Sequence, residues 1–242
     1  MGTPGGYEAF AHIVRSLRAA GLPEPEVDFF RADSLVGRNV IVDMSAGAGR
    51  VVVVMAYYDG LGIIDGSFYP SADAGGSGAA ALLEILRSRP QGPLLFAFVD
   101  GHNNSYAGAR ELLRRRLEGR SVREVVCIDC IGTTLAPVHR HFPNFLIALG
   151  ASESGVRSRI EPLGPKCGIE LYWDYYQSRD FTRLFYRRIG DHTPLLDAGL
   201  PVVVFTSGIT MNTNRRTDTA ESLDYPVLAR RVDLIEEFIK SY

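Results

Sequence analysis

The sequence predicts an α/β fold: three layers, α/β/α, around a mixed, largely parallel central sheet. Strand-like and helix-like segments alternate along most of the 242 residues, the order that crossover connections produce. "RVVVVMAYYD" and "PLLFAFVD" are nearly all apolar, as strands covered on both faces must be. Between them "GAAALLEILRS" carries an apolar stripe at helical spacing, which closes a βαβ unit.

Taken in order, "YEAFAHIVRSLRAAG" opens the chain as a helix stopped by Gly21. "VDFFRADS" and "NVIVDMS" follow as an antiparallel pair near a sheet edge, because polar residues interleave with the apolar ones. Beyond the crossover, "YAGARELLRRRLEG" gives a helix and "VREVVCIDCIG" a strand. "NFLIALG", a long irregular stretch, "LPVVVFTSG" and the amphipathic helix "YPVLARRVDLIEEFIKSY" complete the series. No repeat, linker or charge run divides the chain, so residues 1–242 are read as a single domain.

Composition narrows the function. Hydrophobic residues make up 46% and charged ones 22%, and the formal net charge is -2; nothing there attracts phosphate globally, so nucleic acid is excluded as an expected partner. No segment approaches the roughly 18 uninterrupted apolar residues of a membrane span. "MGTPGGYEAF" has neither the basic nor the apolar region of a signal peptide. Its abrupt Gly and Pro read as the start of a piece excised from a longer, membrane-associated protein. The cysteines, Cys127, Cys130 and Cys167, are odd in number, which argues against a disulfide framework. "CIDC" lies in a β-branched strand pattern, away from any helix N-terminus, so inert thiols are expected.

In parallel sheets, sites form at the C-terminal ends of strands. Those ends supply Tyr57 and Asp59, then "SADAGGSGAAALLEIL", "VDGHNNSYAG" and Asp129 of "CIDCIGTT"; the loops "GDHTPL" and "NTNRRTDT" come later. Structural explanations compete at each place. Asp73 and Ser77 suit a helix N-terminus, "RRRLEGR" a wet helix end, and the histidines of "HRH", His139 and His141, a solvated loop rather than a metal site. Ser77 within "GGSGA", with Asp191 and His192, faintly suggests a serine nucleophile, although Ala79 replaces the second glycine of that motif. Tyr172, Trp173, Tyr175 and Tyr176 of "LYWDYYQ" fit either core packing or a recognition surface.

From about Arg50 to the C-terminus, the order and spacing of these motifs resemble the zinc exopeptidase family of bacterial aminopeptidases, glutamate carboxypeptidase and glutaminyl cyclases. The resemblance implies a zinc-exopeptidase-like fold of the phosphorylase/hydrolase kind. In that family two zinc ions are held by the strand-end residues and a glutamate acts as general base. Matched position by position, Tyr57 stands where the first histidine ligand belongs, and Asp59 keeps the place of its orienting carboxylate. Asp73 matches the bridging ligand, followed by Ala74. His102 takes the position of the general base and Asn103 that of a glutamate ligand. Asp129 matches a ligand, Asn214 replaces the last histidine, and Asp218 keeps a supporting position. Asp191 and His192 match the loop beside the substrate pocket.

Zinc sites are built from thiolate, imidazole and carboxylate, about four at a time. A phenol with a pKa near 10 and two amides replace these poorly. The expectation is therefore an exopeptidase-fold domain that is catalytically inactive, binds no cofactor and serves as a binding or scaffolding module for a protein or peptide-like ligand. The resemblance favours an extracytoplasmic setting. The alternative is a metallo-aminopeptidase or related amide hydrolase with a rearranged zinc site using Asp73, Asp129, His102 and His192. Two facing carboxylates without a cation would also call for a counter-charge, and one of Arg215, Arg216 and His102 is expected within salt-bridge distance of Asp73 or Asp129.

Overall fold

The computed structural model describes residues 1–45, 47, 49–135 and 143–242. Helix α1 (Pro4–Ala19) starts where the Thr3 side chain accepts the Gly6 N–H, and it lays Ile13 and Leu17 on the core. Strands β1 (Glu26–Ala32) and β2 (Leu35–Asp43) form an antiparallel hairpin. β3 (Val51–Tyr57) leads into a short hairpin of β4 (Gly62–Ile64) and β5 (Ser67–Tyr69), then a π-helical turn over Ala72–Ser77 and helix α2 (Gly78–Arg87). β6 (Leu94–Val99) is followed by α3 (Ala107–Leu112), prolonged by a π-helical turn over Leu113–Leu117, and by β7 (Val122–Ile128). The remainder comprises β8 (Phe145–Leu149), α4 (Arg157–Ile160), α5 (Leu163–Cys167), β9 (Glu170–Tyr172), α6 (Arg179–Arg188), α7 (Thr193–Asp197), β10 (Val202–Thr206) and α8 (Tyr225–Lys240).

Eight strands make one mixed sheet in the order β1, β2, β6, β3, β7, β10, β8, β9. β3 runs parallel to both neighbours, β6 and β7, and β10 is parallel to β7, whereas β8 enters antiparallel to β10. All seven residues of β3 are buried. Val52, Val54 and Ala56 join Leu17, Leu82 and Phe238 on one face, while Val53, Met55 and Tyr57 join Leu112, Leu117 and Leu195 on the other. That alternation, with helices on both faces, is the three-layer architecture the sequence predicts.

Three details differ from the sequence reading or sharpen it. The irregular stretch holds α4, α5, β9, α6 and α7. "RRRLEGR" is more than a wet helix end: Arg116 pairs with Asp28 at 2.6 Å and Glu26 at 2.8 Å, clamping the end of the α3 segment to edge strand β1. Cys127 and Cys130 are buried and all three thiols are free; burial pushes the Cys127 and Cys130 thiols well above the ordinary range. His139 and His141 lie outside the described residues. Among the described residues no helix is long and apolar enough to cross a membrane.

Candidate functional site

The parallel strands β3, β6 and β7 end side by side, and their ends carry Tyr57, His102 and Asp129. The His102 ring stacks on Tyr57 with centroids 3.9 Å apart and an interplanar angle of 15°, and meets the ring of Tyr106 edge-on at 5.4 Å. Its Nδ1 lies 2.5 Å from Asp191 Oδ2, brought there by the loop between α6 and α7. Its backbone N–H donates to Asp59 Oδ1 at 2.9 Å. Burial opposes charge on this imidazole, but the Asp191 carboxylate and its hydrogen bond outweigh that, Asp129 and Asp59 add to them, and the pKa is pushed up to about 9. His102 is therefore an imidazolium at neutral pH.

Asp218, Asp73 and Asp59 each accept hydrogen bonds from the chain. Asp218 accepts the N–H groups of Asp73 and Ala74 at 2.7 and 3.0 Å, and its own carbonyl accepts the Ala72 N–H at 3.1 Å. It is the clamp that holds the π-helical turn. Gly75 takes φ +110° within that turn, and a Cβ there would come 3.0 Å from the Tyr57 ring, so a side chain would drive the turn off the site. Asp73 Oδ1 accepts from Ser77 Oγ at 2.8 Å and from Gly132 N at 2.6 Å; burial, opposed by these bonds, raises its pKa. Burial likewise raises Asp59 to about 6, although the Met1 amino group lies 3.2 Å from its Oδ2.

Several sequence expectations need correction here. Ser77 makes no capping bond to α2; its hydroxyl joins Asp73 and receives the Ile131 N–H at 3.1 Å. It does not meet His192, which is buried with Nε2 2.9 Å from the Tyr186 carbonyl oxygen and whose pKa is lowered by burial. The serine-nucleophile arrangement is not assembled. Nor does the expected counter-charge arrive: among the described residues no ion pair reaches Asp73 or Asp129. His102 turns to Asp191 instead. Asn214 adopts φ 58° in an exposed turn, a left-handed conformation that Asn tolerates, and the flanking Arg215 and Arg216 are exposed as well. The cation that does act on Asp73 is one the sequence reading passed over. Arg231 of α8 is wholly buried, donates to the carbonyls of Ile131, Thr133 and Phe145 at 2.7–2.8 Å, and is brought down to about 10 by burial while Asp73 and Asp224 hold it up. It backs the loop whose Gly132 N–H binds Asp73. In the aromatic cluster Tyr175 is buried, with Tyr172, Trp173 and Tyr176 half-buried.

Three of the positions that the resemblance assigns to zinc donors hold other chemistry, Tyr57, Asn103 and Asn214. Asp73 Oδ2, Asp129 Oδ1, Asp191 Oδ1 and His192 Nδ1 are buried without a hydrogen-bond partner. Burial, with the charge of Asp129, pushes the Tyr57 phenol well above its ordinary value, so no phenolate is at hand. Asn103 and Asn214 are exposed amides. Among the described residues no group of three or more His, Cys, Asp or Glu could hold a metal ion, short of the roughly four ligands zinc takes.

A mixed eight-stranded sheet between helical layers thus gathers acids and an imidazole at its parallel strand ends, an α/β architecture shared with aminopeptidases. The chain belongs to peptidase family M28, whose model matches residues 39–239. Among solved structures it is similar to LapA of Legionella pneumophila, at 12% identity and a TM-score of 0.76 over 98% of this chain and 66% of that one. It is also similar to the glutaminyl cyclase of Porphyromonas gingivalis, at 17% and 0.74 over 99% and 91%, and to a leucine aminopeptidase precursor from Bacteroides thetaiotaomicron, at 16% and 0.72 over 99% and 90%. The chain spans about two thirds of the Legionella chains it matches. No curated protein sequence matches it.

Proposed function

We propose that this chain is an exopeptidase-fold domain that does not catalyse, and that it serves as a binding or scaffolding module for a protein or peptide-like ligand. One observation carries the reading: the residue at the general-base position, His102, is held at Nδ1 by Asp191 and flat against Tyr57. A general base needs a pKa near the operating pH and a water to deprotonate; Asp191 holds this imidazole toward its protonated form, and three of the positions matched to metal donors hold phenol or amide. A longer, membrane-associated parent with this domain in an extracytoplasmic setting is part of the same proposal.

The test is elemental analysis of purified protein together with assays on aminoacyl anilides and on peptides with N-terminal glutamine. The expected result is less than one zinc per chain and no chelator-sensitive turnover. Stoichiometric zinc with cleavage abolished by chelator would overturn the proposal. Restoring the donors through Tyr57→His, His102→Glu, Asn103→Glu and Asn214→His together is expected to bring zinc binding back.

A second reading, a metallo-aminopeptidase or related amide hydrolase with a rearranged site, is favoured by one specific observation. Asp73 Oδ2, Asp129 Oδ1, Asp191 Oδ1 and His192 Nδ1 are all buried and unpartnered. His102 among the ligands of a bound zinc would identify that case.

A further inference from the structure

Helix α6 presents a face that no other element of the described chain covers. Of its ten residues only Tyr186 is fully buried. Phe181 is 52% exposed, Leu184 47%, and Ile189, just past the helix end, 41%. Phe181 and Leu184 are three residues apart and so lie on the same side. Arg179, Arg183 and Arg187 recur every fourth residue with Arg188 beside them. All four are exposed, and none forms an ion pair among the described residues. The acids nearby are Asp180 and Asp197, which line a surface hollow of about 680 Å³ with Arg183, Leu184, Arg187 and Arg188, and Glu153 and Asp174, which line a neighbouring one with Arg179.

The face is also tied to the rest of the chain. Phe181 stacks on Phe185 with centroids 6.0 Å apart, Phe185 on Tyr175 at 4.4 Å, and the Tyr175 hydroxyl accepts the Ile209 N–H at 2.5 Å. A ladder of rings thus ties the outer side of α6 to the loop at the end of β10.

We infer that this face docks on an anionic lipid surface. Large apolar side chains exposed between unpaired guanidiniums match both layers of such a surface: Phe181, Leu184 and Ile189 suit the boundary below the headgroups. Arginine forks suit the phosphates and carboxylates above it. A soluble acidic peptide would satisfy the arginines but leave no reason for three apolar side chains to face outward.

The experiment is sedimentation of the full chain with phosphatidylcholine vesicles prepared with and without phosphatidylserine, repeated at rising salt. Binding is expected on the anionic vesicles only, and it should weaken as salt screens it. Arg183→Glu with Arg187→Glu should lower partitioning by roughly tenfold or more. Phe181→Ser with Leu184→Ser should lower it while leaving its salt dependence in place. These positions are exposed, so an unchanged circular dichroism spectrum is expected for both pairs, with at most a small drop in melting from loss of the Phe181–Phe185 stack; the salt titration of the unaltered protein tests the inference without any variant. Equal binding to neutral and anionic vesicles, no binding to either, or full binding by the arginine variant would each overturn it, as would capture by an acidic peptide in the absence of vesicle binding.

Discussion

Asp191 and His102 show how one side-chain pair redirects a site. The folded pKa of His102, about 9, lies above its ordinary 6.5. The pair therefore contributes its stability in full below pH 6.5, and loses it as pH rises through 9. Asp191→Asn should bring the imidazole titration down toward or below neutrality, read by NMR of the ring protons. Wild-type His102 should still be protonated at pH 7.5. Asp218 acts through backbone: Asp218→Asn replaces one acceptor of the pair binding Asp73 and Ala74 with an amide donor, and should cost about 1–3 kcal/mol in denaturant unfolding. At this scale the sequence made legible that Tyr57, His102 and Asp129 stand at strand ends, and the fold brings those ends side by side. The partner of His102 was not legible. Asp191 lies 89 residues away, and nothing local to either residue announces the pair.

Among elements, the strands were the easiest to read, since unbroken valine runs such as that of β3 have one physical explanation. The β4 and β5 hairpin escaped because its strands are three residues each and expose Ile63 and Phe68, leaving no alternation to detect. Helix α6 escaped for a related reason: a segment with four arginines and one buried side chain offers no apolar stripe facing the core. Helix α2 gives a test of packing at this level. Its first residue, Gly78, approaches β7 so closely that a Cβ would lie 2.6 Å from the Ile128 carbonyl oxygen. Gly78→Ala should push the helix off the sheet and destabilise by about 1–3 kcal/mol, measured by urea unfolding.

Across the whole molecule, Arg231 links α8 to β8 and to the loop that supports Asp73. Its signal was present in the sequence as an arginine on the apolar stripe of Val227, Leu234, Ile235 and Phe238, where a charge must find partners or destabilise the core. Arg231→Met keeps the bulk but strands three carbonyls, so a loss of about 2–5 kcal/mol is expected in equilibrium unfolding. Tethering of a different kind holds the strand-end acids in place. Asp218, Asp59 and one oxygen of Asp73 are engaged by amide groups of the chain itself. Loop and strand ends that hold one another through backbone amides keep the outline of the cleft fixed whichever side chains line it.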